Sequence, residues 1–157
     1  MNGSTLFESG AILDEIDRLV GTERCLTPSE GLQRRRVVQT TAIAVACAEK
    51  AQWSFYEGRV RPAEKLPAPW IEHNDKEVLA GFEHLEGIAA EVGLEGLIAG
   101  TQNISQADVT KAVAYTFAST VRSKLDLAAR FPRLSRFVKR CEELPAFLRA
   151  PVPSIPG

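Results

Sequence analysis

Residues 26–58 of the chain, LTPSEGLQRRRVVQTTAIAVACAEKAQWSFYEG, decide its fold class. Thr27 and Glu30 have the residue types and the spacing of a capping box, and Pro28 suits the first position of a helix. Beyond them, small and apolar residues recur at helical spacing until Gly58, which predicts one helix over residues 28–57, about 45 Å long. The residues expected to face inward are Val37, Ala44, Val45, Ala48, Ala51 and Phe55.

The rest of the chain also contains residues typical of helix starts and helix ends. It has no long run of alternating polar and apolar residues that would indicate a strand. Prolines at positions 62, 67 and 69 exclude a helix across that linker, and glycine or proline marks most of the other helix ends. The sequence therefore predicts an all-α fold, a bundle of about five main helices plus a short N-terminal helix. These helices are expected over residues 9–20, 28–57, 69–92, 105–127, 132–143 and 146–150.

Ser105 and Asp108 form a second start signal, at the beginning of the helix predicted over residues 105–127. The Ser105 side chain can accept the backbone N–H of Asp108, and the Asp108 carboxylate can accept the N–H of Ser105. Loss of such a cap costs about 1 kcal/mol. No histidine lies nearby in the sequence, so we interpret this pair as structural rather than catalytic.

Composition excludes several classes of protein. Of the 157 residues, 45% are hydrophobic and 25% charged, as in an ordinary soluble domain, and the net charge of −1 gives no signal for nucleic acid. The longest uncharged helical stretch, residues 37–48, is too short to cross a membrane, which takes roughly 20 apolar residues. The first ten residues lack the basic region and apolar core of a signal peptide. A cytoplasmic protein is expected.

Cysteine and histidine spacing gives no metal or disulfide signal. The three cysteines, Cys25, Cys47 and Cys141, contain no CxxC pair, so reduced thiols are expected. His73 and His84 lie eleven residues apart on one predicted helix, about 16 Å along its axis, too far to share a metal ion. We predict no metal site.

Four short segments, taken in order, resemble the cytosolic glutathione S-transferases of bacterial type. They are TLFESGAI at residues 5–12, GTQNISQAD at 100–108, PRLSRF at 132–137 and PAF at 145–147. In that family the first segment ends a thioredoxin-like N-terminal domain, and the others belong to the C-terminal helical domain. The resemblance implies a remnant of the thioredoxin-like domain over residues 1–21, the helical domain over 22–150 and a proline-rich tail over 151–157.

The resemblance also implies a function and two binding residues. Glu8 and Ser9 would hold the γ-glutamyl end of glutathione, the co-substrate that complete relatives conjugate to electrophiles in detoxification. The N–H groups at a helix N-terminus favour the ligand carboxylate, and Glu8 can pair with its ammonium group. The alternative is that Ser9 simply caps the helix.

No catalytic residue can be assigned, because the family's thiol-activating side chain lies near the first strand of the thioredoxin-like half. The resemblance therefore implies a truncated enzyme that is inactive alone. It implies no resident cofactor and a homodimer made through the first two long helices. Neither nucleic acid nor a membrane is expected as a partner.

Trp53 and Tyr56 lie late on the first long helix, where the family borders the pocket of the electrophilic co-substrate. Their rings could supply an apolar wall, or they could belong to the core. A second function stays open: a non-catalytic interaction module with the same helical fold, whose exposed apolar surface would include the helix over residues 9–20.

Overall fold

The computed structural model describes residues 5–93 and 96–153, and within these ranges the chain is helical with no strand. The predicted all-α fold is confirmed. The seven α-helices are α1 (Ser9–Val20), α2 (Gly31–Val60), α3 (Ala68–Val92), α4 (Gln106–Val121), α5 (Leu127–Arg130), α6 (Pro132–Glu142) and α7 (Pro145–Arg149), with single 3-10 turns at Ala63–Lys65 and Ser123–Leu125.

The centre of the molecule is α2, which packs against both α3 and α4, while α6 lies across α3 and α4. The buried face of α2 recurs every three or four residues, as a helix stripe must. It is made mostly of small side chains: Val37, Thr40, Ala44, Cys47, Ala51 and Ser54. Gly81 of α3 faces this stripe, and a Cβ atom at position 81 would overlap the Cys47 sulfur. Small residues therefore set a close approach of α2 and α3.

Aromatic rings fill the space between α3, α4 and the segment that follows. Phe82 is fully buried, its ring meets Tyr115 edge-on at a centroid distance of 5.4 Å, and Phe131 lies 6.2 Å from it. On α3, helical spacing predicts an inward face made of Ile71, Val78, Phe82, Leu85, Ala89 and Val92. Four of them, Val78, Phe82, Leu85 and Ala89, are buried, whereas Ile71 and Val92 are half-buried. On α2, Val45 was predicted to face inward. Its side chain is 39% exposed, so that prediction was wrong.

The predicted start of the first long helix was wrong. The helix begins at Gly31, and the backbone of Glu30 is extended (φ −156°) and makes no side-chain capping bond. The Thr27–Glu30 capping box is therefore not formed. Instead, the N–H groups of Leu26 and Thr27 donate to the Asp17 carboxylate of α1, at 2.7 and 3.0 Å, and both residues lie in a bend before the helix.

The capping box at the start of α4 is present. Ser105 N–H and Ser105 Oγ both donate to Asp108 Oδ2, at 2.9 and 2.6 Å. The predicted end of this helix was wrong, since α4 stops at Val121. Arg122 leaves the helical conformation and its guanidinium makes two bonds to the Asp75 carboxylate of α3, at 2.9 and 2.6 Å. A largely buried, two-pronged ion pair of this kind outweighs one more turn of helix.

No helix in the described part of the chain combines the length and the apolar character that crossing a membrane requires. The prediction of a proline-rich tail falls partly on residues 154–157, which lie outside the described ranges; residues 151–153 are not helical. The domain boundaries at residues 21 and 150 stay predictions.

Candidate functional site

The N-terminus of α1 is capped by Glu8 and not by Ser9. The Glu8 carboxylate accepts the N–H groups of Gly10 (2.8 Å) and Ala11 (3.2 Å) and the Ser9 hydroxyl (3.0 Å). These bonds, the one from Gly10 first, lower the pKa of Glu8. Glu8 itself adopts a left-handed backbone (φ 73°), which is uncommon for a residue with a side chain. The structure thus brings both predicted glutathione-binding residues to one helix end, with Glu8 occupying its N–H groups.

Helix α1 is attached to the bundle through the linker that follows it. Asp17 accepts the two linker N–H groups described above, and the carbonyl of Leu26 accepts the N–H of Gln106, the first residue of α4, at 2.9 Å. None of the twelve residues of α1 is buried. A chain of hydrogen bonds therefore fixes the distance between the start of α1 and the start of α4, with little packing to assist it.

A cleft of about 720 Å³ opens beside Glu8 and Ser9, between α1, α2, α4 and residues 150–153. This volume lies within the range of small-molecule sites. Its walls are mostly apolar, and its few polar groups include Gln106 and Thr110, which bond to each other at 2.8 Å. The lining residues are Glu8, Ser9, Gly10 and Leu13 of the α1 end, Thr41, Val45, Ala48, Glu49 and Gln52 of α2, Gln106, Val109, Thr110, Val113, Ala114 and Phe117 of α4, and 150–153.

Trp53 and Tyr56, predicted to line a pocket, do not line this cleft. Their side chains are 56% and 47% exposed on the surface of α2. At 100° per residue, Trp53 lies about a quarter turn away from the α2 wall of the cleft, and Tyr56 lies one turn beyond its last member, Gln52. The α2 wall of this cleft consists of smaller side chains, spaced like a second stripe beside the buried one, and a pocket role for Trp53 and Tyr56 stays a prediction.

Two carboxylates carry all the charge on the lining of the cleft. They are Glu8 and Glu49, and no Lys, Arg or His lies among the lining residues. Glu49 is exposed and, among the residues that the structure describes, forms no ion pair. The cleft is therefore apolar and negatively charged.

The sequence reasoning missed Lys111, which lies in the core behind the α4 wall of the cleft. Its side chain is fully buried, and its Nζ atom lies 3.0 Å from the centroid of the Phe137 ring without a hydrogen-bond partner in the described chain. Burial lowers the pKa of Lys111 to about 7, and the nearby Asp108 carboxylate opposes that shift. Burial also raises the pKa of Cys47 to about 12 and that of Cys141 to about 11.

The signal that could have found Lys111 was its register. Position 111 is four residues after Ala107 and seven before Ala118, both fully buried, so it lies on the inner face of α4.

Within the described ranges, no three His, Cys, Asp or Glu residues are grouped so that they could hold a metal ion.

Solved structures with this arrangement of helices include bacterial glutathione transferases. A family member from Pseudomonas fluorescens Pf-5 with bound S-(propanoic acid)-glutathione has a TM-score of 0.84, covering 97% of this chain and 74% of its own, at 23% identity. The fold is that of the glutathione transferase C-terminal helical domain. A glutathione S-transferase from Methylobacterium radiotolerans in complex with glutathione sulfonate also scores 0.84, covering 99% of this chain and 70% of its own, at 22% identity.

A glutathione S-transferase of class Gtt2 from Vibrio parahaemolyticus scores 0.72 at 23% identity, covering 93% of this chain and 67% of its own. No family model matches the sequence, and no curated protein matches it. At these identities the likeness establishes the glutathione transferase fold, which confirms the architecture expected from the four segments.

Proposed function

We propose that this chain is the helical part of a glutathione transferase-like protein that conjugates glutathione to electrophiles in detoxification. The observation that carries the proposal is the position of Glu8 and Ser9 at the mouth of the apolar cleft between α1, α2 and α4. It is supported by the solved structures of the same fold that hold glutathione or its derivatives. Glutathione would lie at the α1 end and the electrophile deeper in the cleft.

The α1 N-terminus suits the γ-glutamyl carboxylate of glutathione. The N–H groups of Gly10 and Ala11 and the Ser9 hydroxyl already hold one carboxylate, that of Glu8. A ligand carboxylate would replace it at the same donors, which the helix dipole favours. Glu8, once displaced, can pair with the ligand ammonium. Binding would exchange one carboxylate for another, so its affinity would be modest.

These 157 residues alone are proposed to be inactive. Conjugation requires a donor that stabilises the glutathione thiolate. In the family that donor belongs to a sheet-containing half, and the described residues of this chain form no strand. The lining residues of the cleft include neither a cation nor a tyrosine; of its hydroxyl groups, that of Ser9 already donates to Glu8.

The first experiment is a titration of the ¹⁵N-labelled chain with glutathione, together with a thiol-conjugation assay on 1-chloro-2,4-dinitrobenzene. We expect chemical-shift changes concentrated at the amides of Ser9, Gly10 and Ala11, with millimolar affinity and no turnover above the uncatalysed rate. Ser9→Ala should weaken binding about threefold to tenfold, the net value of one hydrogen bond at a solvent-exposed site. Ser29→Ala, an exposed serine away from the cleft, is the control. Robust turnover, or shifts that avoid α1, would contradict the proposal.

We also propose a homodimer formed by an aromatic patch on the outer side of α2 and α3. The patch is defined by Trp53, Tyr56, Val60, Leu66 and Trp70, each at least 38% exposed. The ring of Trp70 stacks on His73 and lies 5.8 Å from the Lys50 ammonium, which gives this surface a fixed shape. Aromatic side chains concentrated on a protein surface are typical of interfaces.

Light scattering tests the dimer directly. The chain is expected to have twice its 17.2 kDa mass at micromolar concentration, and Trp53→Glu should shift it to a monomer, raising the dissociation constant at least about a hundredfold, as for loss of an interface hot spot. Leu148→Glu adds the same charge at an exposed position off the patch, on α7, and should leave the dimer intact. A monomeric parent chain would refute the dimer.

The non-catalytic interaction module remains the second candidate, and the exposed face of α1 favours it. Leu6, Phe7, Ile12, Ile16 and Leu19 are each between 41% and 80% exposed, an apolar surface that needs a partner. A dimer that persists in Trp53→Glu would place the interface on this face instead. A cytoplasmic location is proposed with either function, because Cys25, Cys47 and Cys141 are all free thiols.

A further inference from the structure

We infer that the part of the cleft between α2 and α4, away from the α1 end, selects neutral or cationic apolar ligands over anionic ones, and that Glu49 is the residue that determines this selectivity. The inference concerns the electrophile side of the site and rests on the proposed function for its biological meaning. Its physical basis is the composition of the cleft in this chain.

Charge in the cleft is one-sided. Glu8 and Glu49 are the charged residues of the lining, and no cation lies among them. The nearest lysine along α2, Lys50, is directed to the Trp70 ring on another face of the helix. Lys111 of α4 is buried on the far side of the wall, over Phe137. Between α2 and α4, an anionic ligand would therefore face the Glu49 carboxylate and no compensating cation.

The two carboxylates differ in how strongly they act. Glu8 is held by the N–H groups of Gly10 and Ala11, whose positive ends offset its charge. Glu49 has no such partner: it forms none of the hydrogen bonds or ion pairs found among the described residues, and it lies on the α2 wall one turn after Val45. The charge of Glu49 is therefore less compensated by hydrogen bonds than that of Glu8.

The size of the effect follows from Coulomb's law. Two unit charges several Å apart near a protein surface repel enough to change a binding constant by roughly threefold to tenfold, and salt reduces the effect. A ligand with the same rings and no charge would lose no affinity through this repulsion. The cleft should thus discriminate between two ligands of equal apolar area by charge alone.

The test compares two fluorescent probes that share their rings, the anionic 8-anilinonaphthalene-1-sulfonate and the neutral N-phenyl-1-naphthylamine. In low salt, the parent chain should bind the neutral probe at least about tenfold more tightly. Glu49→Gln should tighten the anionic probe about threefold to tenfold and leave the neutral probe unchanged. The gain should shrink at 0.5 M salt.

Two further variants keep the test specific. Glu77→Gln removes the same charge from an exposed position on α3, outside the cleft, and should alter neither probe. Val45→Trp fills the cleft and should weaken both probes at least about fivefold. The inference is overturned if Glu49→Gln leaves the anionic probe unchanged, if Glu77→Gln matches its effect, or if Val45→Trp affects neither probe. None of these readouts uses glutathione, so the inference and the proposed function can fail independently.

Discussion

Replacing Lys111 with methionine is expected to stabilise the chain by about 2–4 kcal/mol at pH 6, because the replacement removes a buried charge and keeps the volume of the side chain. The Lys111 ammonium has no hydrogen-bond partner in the described chain, and the Phe137 ring offsets its loss of water only in part. The Asp108 carboxylate keeps three other partners after the replacement, since it is held by Ile98 N–H (2.7 Å) and by two donors of Ser105.

The gain should depend on pH in a defined direction. The pKa of Lys111 falls from 10.5 to about 7 in the folded chain. Below pH 7 both the folded and the unfolded chain carry the proton, and the full penalty of burial applies. Between pH 7 and 10.5 the unfolded chain binds more protons, so the stability of the parent chain rises with pH, by at most about 1.4 kcal/mol per pH unit.

The buried thiols of Cys47 and Cys141 end this rise in stability at high pH. Burial raises the pKa of Cys47 to about 12 and that of Cys141 to about 11, from 9.0. Their stabilisation is complete below pH 9 and is lost as the pH rises toward the folded values. The charges of Asp108, Cys141 and Glu86 act to raise the pKa of Lys111, and that of Arg140 acts to lower it. The parent chain should be most stable near pH 9.

Urea unfolding of the parent chain and of Lys111→Met at pH 6, 7, 8 and 9 measures both effects. The advantage of methionine should be largest at pH 6 and should shrink as the pH approaches 9. Lys76→Met, at an exposed position of α3, is the matched control and should change the free energy of unfolding by less than about 0.5 kcal/mol. A destabilised Lys111→Met, or a gain that does not vary with pH, would contradict the assignment of a buried, deprotonating lysine.

Replacing Asp108 with alanine should have the opposite effect and destabilise the chain by about 3–5 kcal/mol, a large part of the total stability of a domain this size. Asp108 is fully buried and accepts from Ile98 N–H, Ser105 N–H and Ser105 Oγ. Alanine leaves these donors unsatisfied and deprives the Lys111 cation of the carboxylate that stabilises it. The loop before α4 and the start of that helix would both lose their anchor.

A double-mutant cycle measured by urea unfolding separates these contributions. Asp108→Ala should cost about 1–2 kcal/mol less in the Lys111→Met background, since no buried cation is then left alone. Ser105→Ala removes one donor and keeps the carboxylate, so it should cost only about 1 kcal/mol and report on the cap if Asp108→Ala does not fold. Equal costs in both backgrounds would show that Asp108 and Lys111 do not interact.

Local patterns in the sequence predicted the features that depend on neighbouring residues. The stripe of α3 and the Ser105–Asp108 cap follow from spacing alone, and both are present. The Thr27–Glu30 box failed because Asp17, ten residues before Thr27, takes over the backbone groups of that segment. The end of α4 was misplaced because Arg122 pairs with Asp75, 47 residues away. Contacts at such separations leave no mark in a local pattern.

The candidate site also combines features that the sequence predicted with features that only the folded chain reveals. Glu8 and Ser9 were found through a resemblance of eight residues, and the structure places them at a cleft mouth. Sequence alone did not indicate that Val45, Ala48 and Gln52 form the α2 wall of this cleft, because small and polar residues on a helix have no distinctive pattern. Which side of a 30-residue helix faces a cleft depends on the helices on either side of it.

Helix α1 meets the rest of the molecule through hydrogen bonds to a linker, with none of its residues buried. Mutational drift on its outer surface is therefore nearly uncoupled from the thermal stability of the bundle. Selection there would act through whatever α1 touches, so related proteins could exchange partners by changing a dozen residues while their interior stays the same. The same independence makes α1 a convenient place to engineer new associations.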